Sequence, residues 1–346
     1  MIRVLLVDDS SIALTILARM LSHAPEIVVA GTARNGREAL RLIPTLKPHV
    51  VCTDLEMPEM NGFEFIDAVM RTAPCPILVI SNYVEARHAH NAFRALELGA
   101  IDIFPKPRGG SDASPADAEQ LVQKVRVLSG VVPFRRRGPA ASAYVPSAVP
   151  AVRQPVRVVV IGASTGGPQA LQTIFGALPV SLPVPILCVQ HINAAFHRSF
   201  VAWLQRSTGR AVSIIAEGEP PAPGHIYFPR EDQHMLLDAR GRLVSARTAA
   251  FDGHRPSISA TFLSAARFFG AATMGVLLTG MGRDGADGLK AIAEAGGITV
   301  AQDEASSIVF GMAKQAIDVG AATHVLPLPR IAEAIVRATG SRTTKP

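Results

Sequence analysis

Aromatic side chains are scarce in this chain: they make up 5% of its 346 residues, with a single tryptophan. Surfaces that stack nucleic-acid bases on aromatic platforms are a poor match, and no basic helix with a helix-turn-helix pattern is found. Cysteine is scarcer still. Cys52, Cys75 and Cys188 lie apart in apolar settings and form no C-x-x-C pair. That excludes a zinc ribbon and points to buried thiols in a reducing compartment. No apolar run reaches the roughly 18 residues of a membrane span. The opening, Met1-Ile2-Arg3-Val4-Leu5-Leu6-Val7-Asp8, turns charged too soon for a signal peptide and reads as a strand. The expectation is a cytoplasmic protein with no membrane insertion. Charge is also sparse, 18% against 48% hydrophobic residues, which excludes a disordered chain. Part of the net charge of +6 is local, in Arg135-Arg136-Arg137. A positive surface favours an acidic protein partner, and no nucleic acid is expected.

What is present is a two-part rhythm. From 1 to 129 short apolar runs alternate with helical patterns, with strands expected at Ile2 to Val7, Val28 to Thr32, Val50 to Thr53, Ile77 to Ile80 and Ile101 to Phe104. Ile12, Ile16, Leu17, Met20 and Leu21 mark one face of the first helix. From 130 to 155 the pattern breaks into prolines, alanines and the arginine triplet, an extended linker. From 156 to 346 the rhythm returns, with strands at Arg157 to Ile161, Ile186 to Gln190, Val212 to Ile215, Thr273 to Leu278 and Ile298 to Ala301. The piece from Gly224 to Ser245 reads as a small antiparallel insertion. Alternating β-α units predict two doubly wound parallel sheets, a flavodoxin-like domain followed by a Rossmann-like α/β domain.

In the first domain Asp8 and Asp9 follow strand one, Asp54 follows strand three, Ser81 strand four and Lys106 strand five. Neighbouring strand ends of a parallel sheet share one crevice. Three carboxylates there suit Mg²⁺, and a hydroxyl and an ammonium around them suit an acyl phosphate. Singly, such aspartates are more often helix caps; five matching types on four strand ends are not. The motifs Val7-Asp8-Asp9-Ser10, Asp54-Leu55-Glu56-Met57-Pro58, Ser81 and Lys106-Pro107 resemble the receiver domain of two-component response regulators. The resemblance implies that Asp54 accepts phosphate from a histidine kinase. It also implies that Asp8 and Asp9 help hold Mg²⁺ and that Ser81 and Lys106 sense the phosphoryl group. Ile103 departs from the pattern, standing where receivers usually carry an aromatic ring.

In the second domain Val158, Val159, Val160 and Ile161 run into Gly162-Ala163-Ser164-Thr165-Gly166-Gly167, with a helix start at Pro168. A serine on a tight strand-to-helix turn presents its hydroxyl beside backbone N–H groups, the arrangement of a nucleophile at an oxyanion hole. The dinucleotide spacing G-x-G-x-x-G is absent, as is a Tyr-x-x-x-Lys pair. His191 stands at the end of the strand from Ile186, and Asp284 lies in the turn Gly280-Met281-Gly282-Arg283-Asp284-Gly285. Three strand ends thus bring Ser164, His191 and Asp284 towards one crevice, with the N–H groups near Thr165 and Met281 as oxyanion donors. His197, His225, His234 and His254 compete with His191, and Asp287 with Asp284.

The runs Gly162 to Pro168, Val189-Gln190-His191, His254-Arg255-Pro256-Ser257, Thr279 to Gly285 and Phe310-Gly311-Met312, behind a receiver, resemble the chemotaxis response-regulator protein-glutamate methylesterases. The resemblance implies phosphorylation-activated hydrolysis of glutamyl methyl esters on chemoreceptor helices, glutamine deamidation as a second activity, and Ser164, His191 and Asp284 as the triad. It implies no cofactor in the catalytic half. The domain order suggests a receiver that covers the crevice until phosphorylated. A receiver-regulated adaptor or phosphate sink is the alternative, and an intact triad argues against it. Arg283, Ser259 and Ala313 depart from the family pattern at positions expected to bear on receptor docking.

Overall fold

The computed structural model of the chain describes residues 1–81, 86–107, 114–131 and 155–340, which fall into two compact units, Met1–Ala143 and Tyr144–Pro346. Most of the linker expected over 130–155, with its arginine triplet, lies outside the described residues.

The first unit runs β1 (Ile2–Val7), α1 (Ser11–Leu21), β2 (Ile27–Ala33), α2 (Gly36–Leu46), β3 (Val50–Thr53) and α3 (Gly62–Thr72). It continues with β4 (Ile77–Ser81), α4 (Ala86–Glu97), β5 (Asp102–Pro105) and α5 (Pro115–Ser129). The strands pair in the order β2-β1-β3-β4-β5, all parallel. Helices cover both faces of such a sheet, so its strands are apolar throughout instead of alternating. Val4 to Val7, Val50 to Cys52 and Ile77 to Ile80 are accordingly buried. Polar caps set where the helices begin. Ser10 accepts the Ala13 N–H, Asn35 the Glu38 N–H, and Asn61 and Glu64 form a reciprocal capping box. The inner face of α1 is Ala13, Leu14, Leu17, Met20 and Leu21. Ile12, expected on that face, is 66% exposed. With the helix starting at Ser11, Ile12 and Ile16 lie one turn apart on its outer edge.

The second unit runs β6 (Val158–Ala163), α6 (Gly167–Ala177), β7 (Ile186–Gln190), α7 (Ala194–Thr208), β8 (Ala211–Ile214) and β9 (His225–Phe228). Then come β10 (His234–Leu237), β11 (Leu243–Ala246), α8 (Ile258–Phe269), β12 (Thr273–Leu277) and α9 (Ala286–Glu294). It closes with β13 (Ile298–Gln302), α10 (Met312–Asp318), β14 (His324–Leu326) and α11 (Leu328–Ala338). Seven parallel strands take the order β14-β13-β12-β6-β7-β9-β8. The chain leaves β6 towards β7 on one side and returns to β12 on the other, so the switch point of the sheet lies over β6 and β12.

Only β10 and β11 form the expected antiparallel piece. β9, placed in that insertion from the sequence, is instead an inner strand of the main sheet, parallel to both β7 and β8. Its run Ile226-Tyr227-Phe228 is buried throughout, the mark of a strand covered on both faces. α10, at seven residues, and β14, at three, are too short to show a period and were not expected. Among the described residues no helix is long and apolar enough to cross a membrane.

Candidate active site

Ser164 is the first residue beyond β6, half-buried, on a turn that Gly166 closes in the left-handed region (φ 78°) before α6 begins. The neighbouring strand ends are tied to it by backbone bonds. The Ser164 N–H donates to the Thr279 carbonyl (3.0 Å), and the His191 N–H donates to the Ala163 carbonyl (2.9 Å). With Ala163 opposite Gln190 in the β6–β7 register, Ser164 and His191 emerge side by side. The approach from β12 depends on Gly280. A Cβ there would fall 2.6 Å from both Ser164 Cβ and Met312 Sδ, so any side chain would push the serine away.

His191 Nε2 lies 2.9 Å from Asp284 Oδ2. Asp284 is 1% exposed, and every lone-pair direction of its carboxylate is occupied. Ser257 Oγ (2.8 Å) and the Ser259 N–H (2.9 Å) donate to Oδ1, and the Ile258 N–H (2.8 Å) donates to Oδ2. Those N–H groups belong to the first turn of α8, whose start has no intrahelical acceptors and carries the positive end of the helix dipole. Burial alone would raise the Asp284 carboxyl. The His191 hydrogen bond and charge, with the Ser259 and Ile258 N–H bonds, outweigh it and bring the pKa down to about 2. The carboxylate is therefore ionised at neutral pH and only accepts, so His191 carries its proton on Nε2 and presents Nδ1 as the basic nitrogen.

His254, weighed in the sequence as a competitor of His191, stacks on it. The ring centroids are 4.1 Å apart and the planes differ by 2°. A two-residue turn, Asp252-Gly253, delivers it between paired Phe251 and His254. One ligand atom each from His191, His254 and Asp284 lie within 4.8 Å of one another. The stacked rings do not suit a metal, because an imidazole lone pair lies in its ring plane and two parallel planes cannot converge on one ion. His225 is engaged elsewhere, with Ser213 Oγ (2.9 Å). His234 backs the site instead: its Nδ1 accepts the Ser257 N–H (3.1 Å), and its Nε2 meets the Ala249 carbonyl (3.1 Å). His197 is buried in α7, and neither ring nitrogen finds a hydrogen-bond partner among the described residues.

Near Ser164, the Thr165 and Met281 N–H groups find no acceptor among the described residues, as suits donors that wait for an oxyanion. Met281 is 45% exposed. Two family departures do not face a docking partner. Ser259 is fully buried, its Oγ taking the Gly285 N–H (2.7 Å), and Ala313 is buried too. Arg283 is exposed and pairs with Asp287 one turn along (2.9 Å). Ser257 was missed as a supporting residue, although it stands one place before an apolar helical run, where a cap belongs.

The first unit holds a separate cluster at its switch point. Oxygens of Asp8, Asp9 and Asp54 lie within 4.8 Å of one another. Lys106 Nζ is 2.9 Å from Asp8 Oδ1 and 2.5 Å from Asp54 Oδ2, and the Leu55 N–H donates to Asp54 Oδ1 (2.7 Å). Ser81 is buried at the end of β4, its carbonyl taking the Lys106 N–H (2.9 Å). Burial pushes the Asp8 carboxyl up against the pull of Lys106. Asp8 Oδ2 is buried and accepts no hydrogen bond of good geometry among the described residues, though Lys106 Nζ stands 2.7 Å away. An all-oxygen set that includes such an oxygen fits Mg²⁺. Ile103 and Phe104 are both buried. Burial also pushes the Cys52 and Cys75 thiols up to about 12, so neither is a nucleophile at neutral pH.

A serine turn and a histidine–aspartate pair over one parallel sheet, carried with an aspartate–lysine pocket on another, define a hydrolase coupled to a phospho-acceptor domain. A family model for CheB methylesterase matches residues 159–335, and one for the response regulator receiver domain matches residues 4–114. The chain belongs to the CheB methylesterase family, in the form that carries an N-terminal receiver. A relative from Nitrosospira multiformis named protein-glutamate methylesterase/protein-glutamine glutaminase is 41% identical, over 99% of this chain and 98% of its own. A Pseudomonas aeruginosa relative of the same name, numbered 2, is 39% identical over 99% and 98%. The crystal structure of the Thermotoga maritima CheB methylesterase catalytic domain superimposes with a TM-score of 0.51 at 35% identity. It covers 52% of this chain and 97% of that one.

Proposed function

We propose that this protein hydrolyses glutamyl methyl esters on the cytoplasmic helices of chemoreceptors, releasing methanol, and deamidates receptor glutamines at the same site. Ser164 is the nucleophile, His191 its base and Asp284 the group that orients the base. The observation that carries this assignment is the Asp284 carboxylate, sealed under the first turn of α8 and bonded to His191 Nε2 beside the Ser164 turn.

With Nε2 committed to Asp284, Nδ1 takes the proton as Ser164 Oγ attacks the ester carbonyl. The oxyanion is held by the Thr165 and Met281 N–H groups, worth about 3 kcal/mol each on typical figures. The imidazolium, stabilised by Asp284, returns the proton to the departing methoxide. Water, deprotonated by the same nitrogen, then resolves the acyl-enzyme to a glutamate carboxylate.

Asp54 receives a phosphoryl group from a histidine kinase, and its phosphorylation raises the esterase activity. Asp8, Asp9 and Asp54 hold Mg²⁺, which when bound offsets the charge of the phosphoryl group. Lys106, already between Asp8 and Asp54, pairs with a phosphoryl oxygen, and Ser81 approaches it from β4. The protein acts in the cytoplasm, where kinase and receptor helices are met.

The test is methanol release from methyl-labelled receptor membranes, with and without a small phosphodonor, for wild type, Ser164→Ala and Asp54→Asn. Release should vanish in Ser164→Ala and should lose its phosphodonor response in Asp54→Asn. Undiminished release from Ser164→Ala would overturn the serine mechanism.

A further inference from the structure

The last residue of β7, Gln190, is buried between the proposed nucleophile and base, and its amide is committed to both. Nε2 donates to the Ser164 carbonyl (2.8 Å) and to the His191 carbonyl (2.8 Å). Two acceptors on one side fix which end of the amide faces them, so Oε1 must point away. It does so into space vacated by Gly167, where a Cβ would lie 2.0 Å from it. Oε1 is buried and accepts no hydrogen bond among the described residues. A side chain needed only for packing would be apolar and would leave no orphaned acceptor. The donor end is what the position requires.

The Ser164 carbonyl and the Thr165 N–H belong to one planar, trans peptide, and in such a unit the two point in opposite directions. The carbonyl is held at its oxygen by two donors, Gln190 Nε2 and the Gly167 N–H (2.8 Å each). Anchoring that oxygen aims the Thr165 N–H on the far side of the peptide. The next peptide is held in the same way, because Thr279 Oγ1 donates to the Thr165 carbonyl (2.9 Å). We propose that Gln190 is a positioning residue for the oxyanion hole: through the Ser164 carbonyl it aims the Thr165 N–H at the developing oxyanion. This rests on the serine mechanism proposed above. Gly167 is glycine because the clasp occupies the volume of its side chain.

The test compares full-length wild type with Gln190→Met, Gln190→Leu and Ser164→Ala, all phosphodonor-activated, on methylated receptor membranes. Methionine keeps the volume without a donor, and leucine removes the donor with a stiffer apolar side chain. Removing an oxyanion donor costs about 10²- to 10³-fold in kcat, so loosening one predicts a fall of about 10- to 100-fold. KM should stay within about twofold, and the pH at half-maximal kcat should not move. The Ki of an alkyl boronic acid, whose adduct on Ser164 mimics the tetrahedral intermediate, should rise by the same factor as kcat falls. Gln190→Leu carries the test alone if Gln190→Met does not fold. A kcat within twofold of wild type, a loss confined to KM, or a displaced pH limb would overturn the inference. Activity surviving in Ser164→Ala would instead sink the serine mechanism beneath it.

Discussion

Asp284→Asn removes one acceptor oxygen and the negative charge from a site with no room to adapt. Each carboxylate oxygen accepts two bonds, His191 Nε2 and the Ile258 N–H on one side, Ser257 Oγ and the Ser259 N–H on the other. An amide NH2 facing His191 would oppose two N–H donors and force the imidazole into the tautomer that cannot take the serine proton. Facing Ser257 it opposes only the Ser259 N–H, since a hydroxyl can turn to accept, so this orientation is preferred. The imidazolium then lacks its counter-charge, and kcat should fall about 10³- to 10⁴-fold.

Stability changes as well. The Asp284 pKa lies at about 2 in the folded chain against an ordinary 3.8. A carboxylate depressed by folding stabilises the native state above its unfolded pKa and stops doing so as pH falls through its folded pKa. Nearly two pKa units correspond to about 2 kcal/mol, present at neutral pH and lost between pH 3.8 and 2. The only tryptophan, Trp203, is buried in the same unit, so its fluorescence in urea reports that unit's unfolding. Wild type should exceed Asp284→Asn by about 2 kcal/mol at pH 7, with the gap closing towards pH 2. A gap that persists unchanged at pH 2, or a variant with kcat within tenfold, would refute the reasoning.

Ser257→Ala loses a bond to Asp284 and the cap on the Ala260 N–H. It should lower stability by about 2–3 kcal/mol in the same urea assay and reduce kcat less than Asp284→Asn does. Gly280→Ala should cut methanol release about 100-fold through displacement of Ser164, with phosphate incorporation at Asp54 unchanged. Burial holds His197 at about 4 against an ordinary 6.5, so the unfolded chain takes up the proton first. Wild-type stability should therefore drop by about 3 kcal/mol between pH 6.5 and 4, and His197→Leu should flatten that slope in the Trp203 signal. Lys106→Met leaves Asp8 and Asp54 without their counter-ion, and calorimetry should show the first unit destabilised by about 3–5 kcal/mol. Added Mg²⁺ should raise its Tm more than that of wild type.

Legibility followed distance along the chain. Strand ends carrying Ser164, His191 and the receiver aspartates could be read because a strand, its turn and its exit residue are contiguous, and an unbroken apolar run marks a buried parallel strand. The same rule misplaced β9, since Gly224 to Ser245 contains one strand that joins the main sheet and two that do not, and nothing local tells them apart. Ile12 was misread for a smaller reason: a helical stripe is as wide as the core it meets, and its edge is set by the neighbour.

The sequence by itself determined two parallel-sheet units, the family, and the residue types at each crevice, because these rest on local periodicity and on motifs of adjacent residues. Only the tertiary structure decided that His254 lies flat on His191, and that the first turn of α8 seals Asp284. It also decided that one buried amide clasps Ser164 and His191 together. These are contacts between segments well separated along the chain. They exist because folding closes the crevice and leaves each buried donor or acceptor few partners, a constraint that no window along the chain contains.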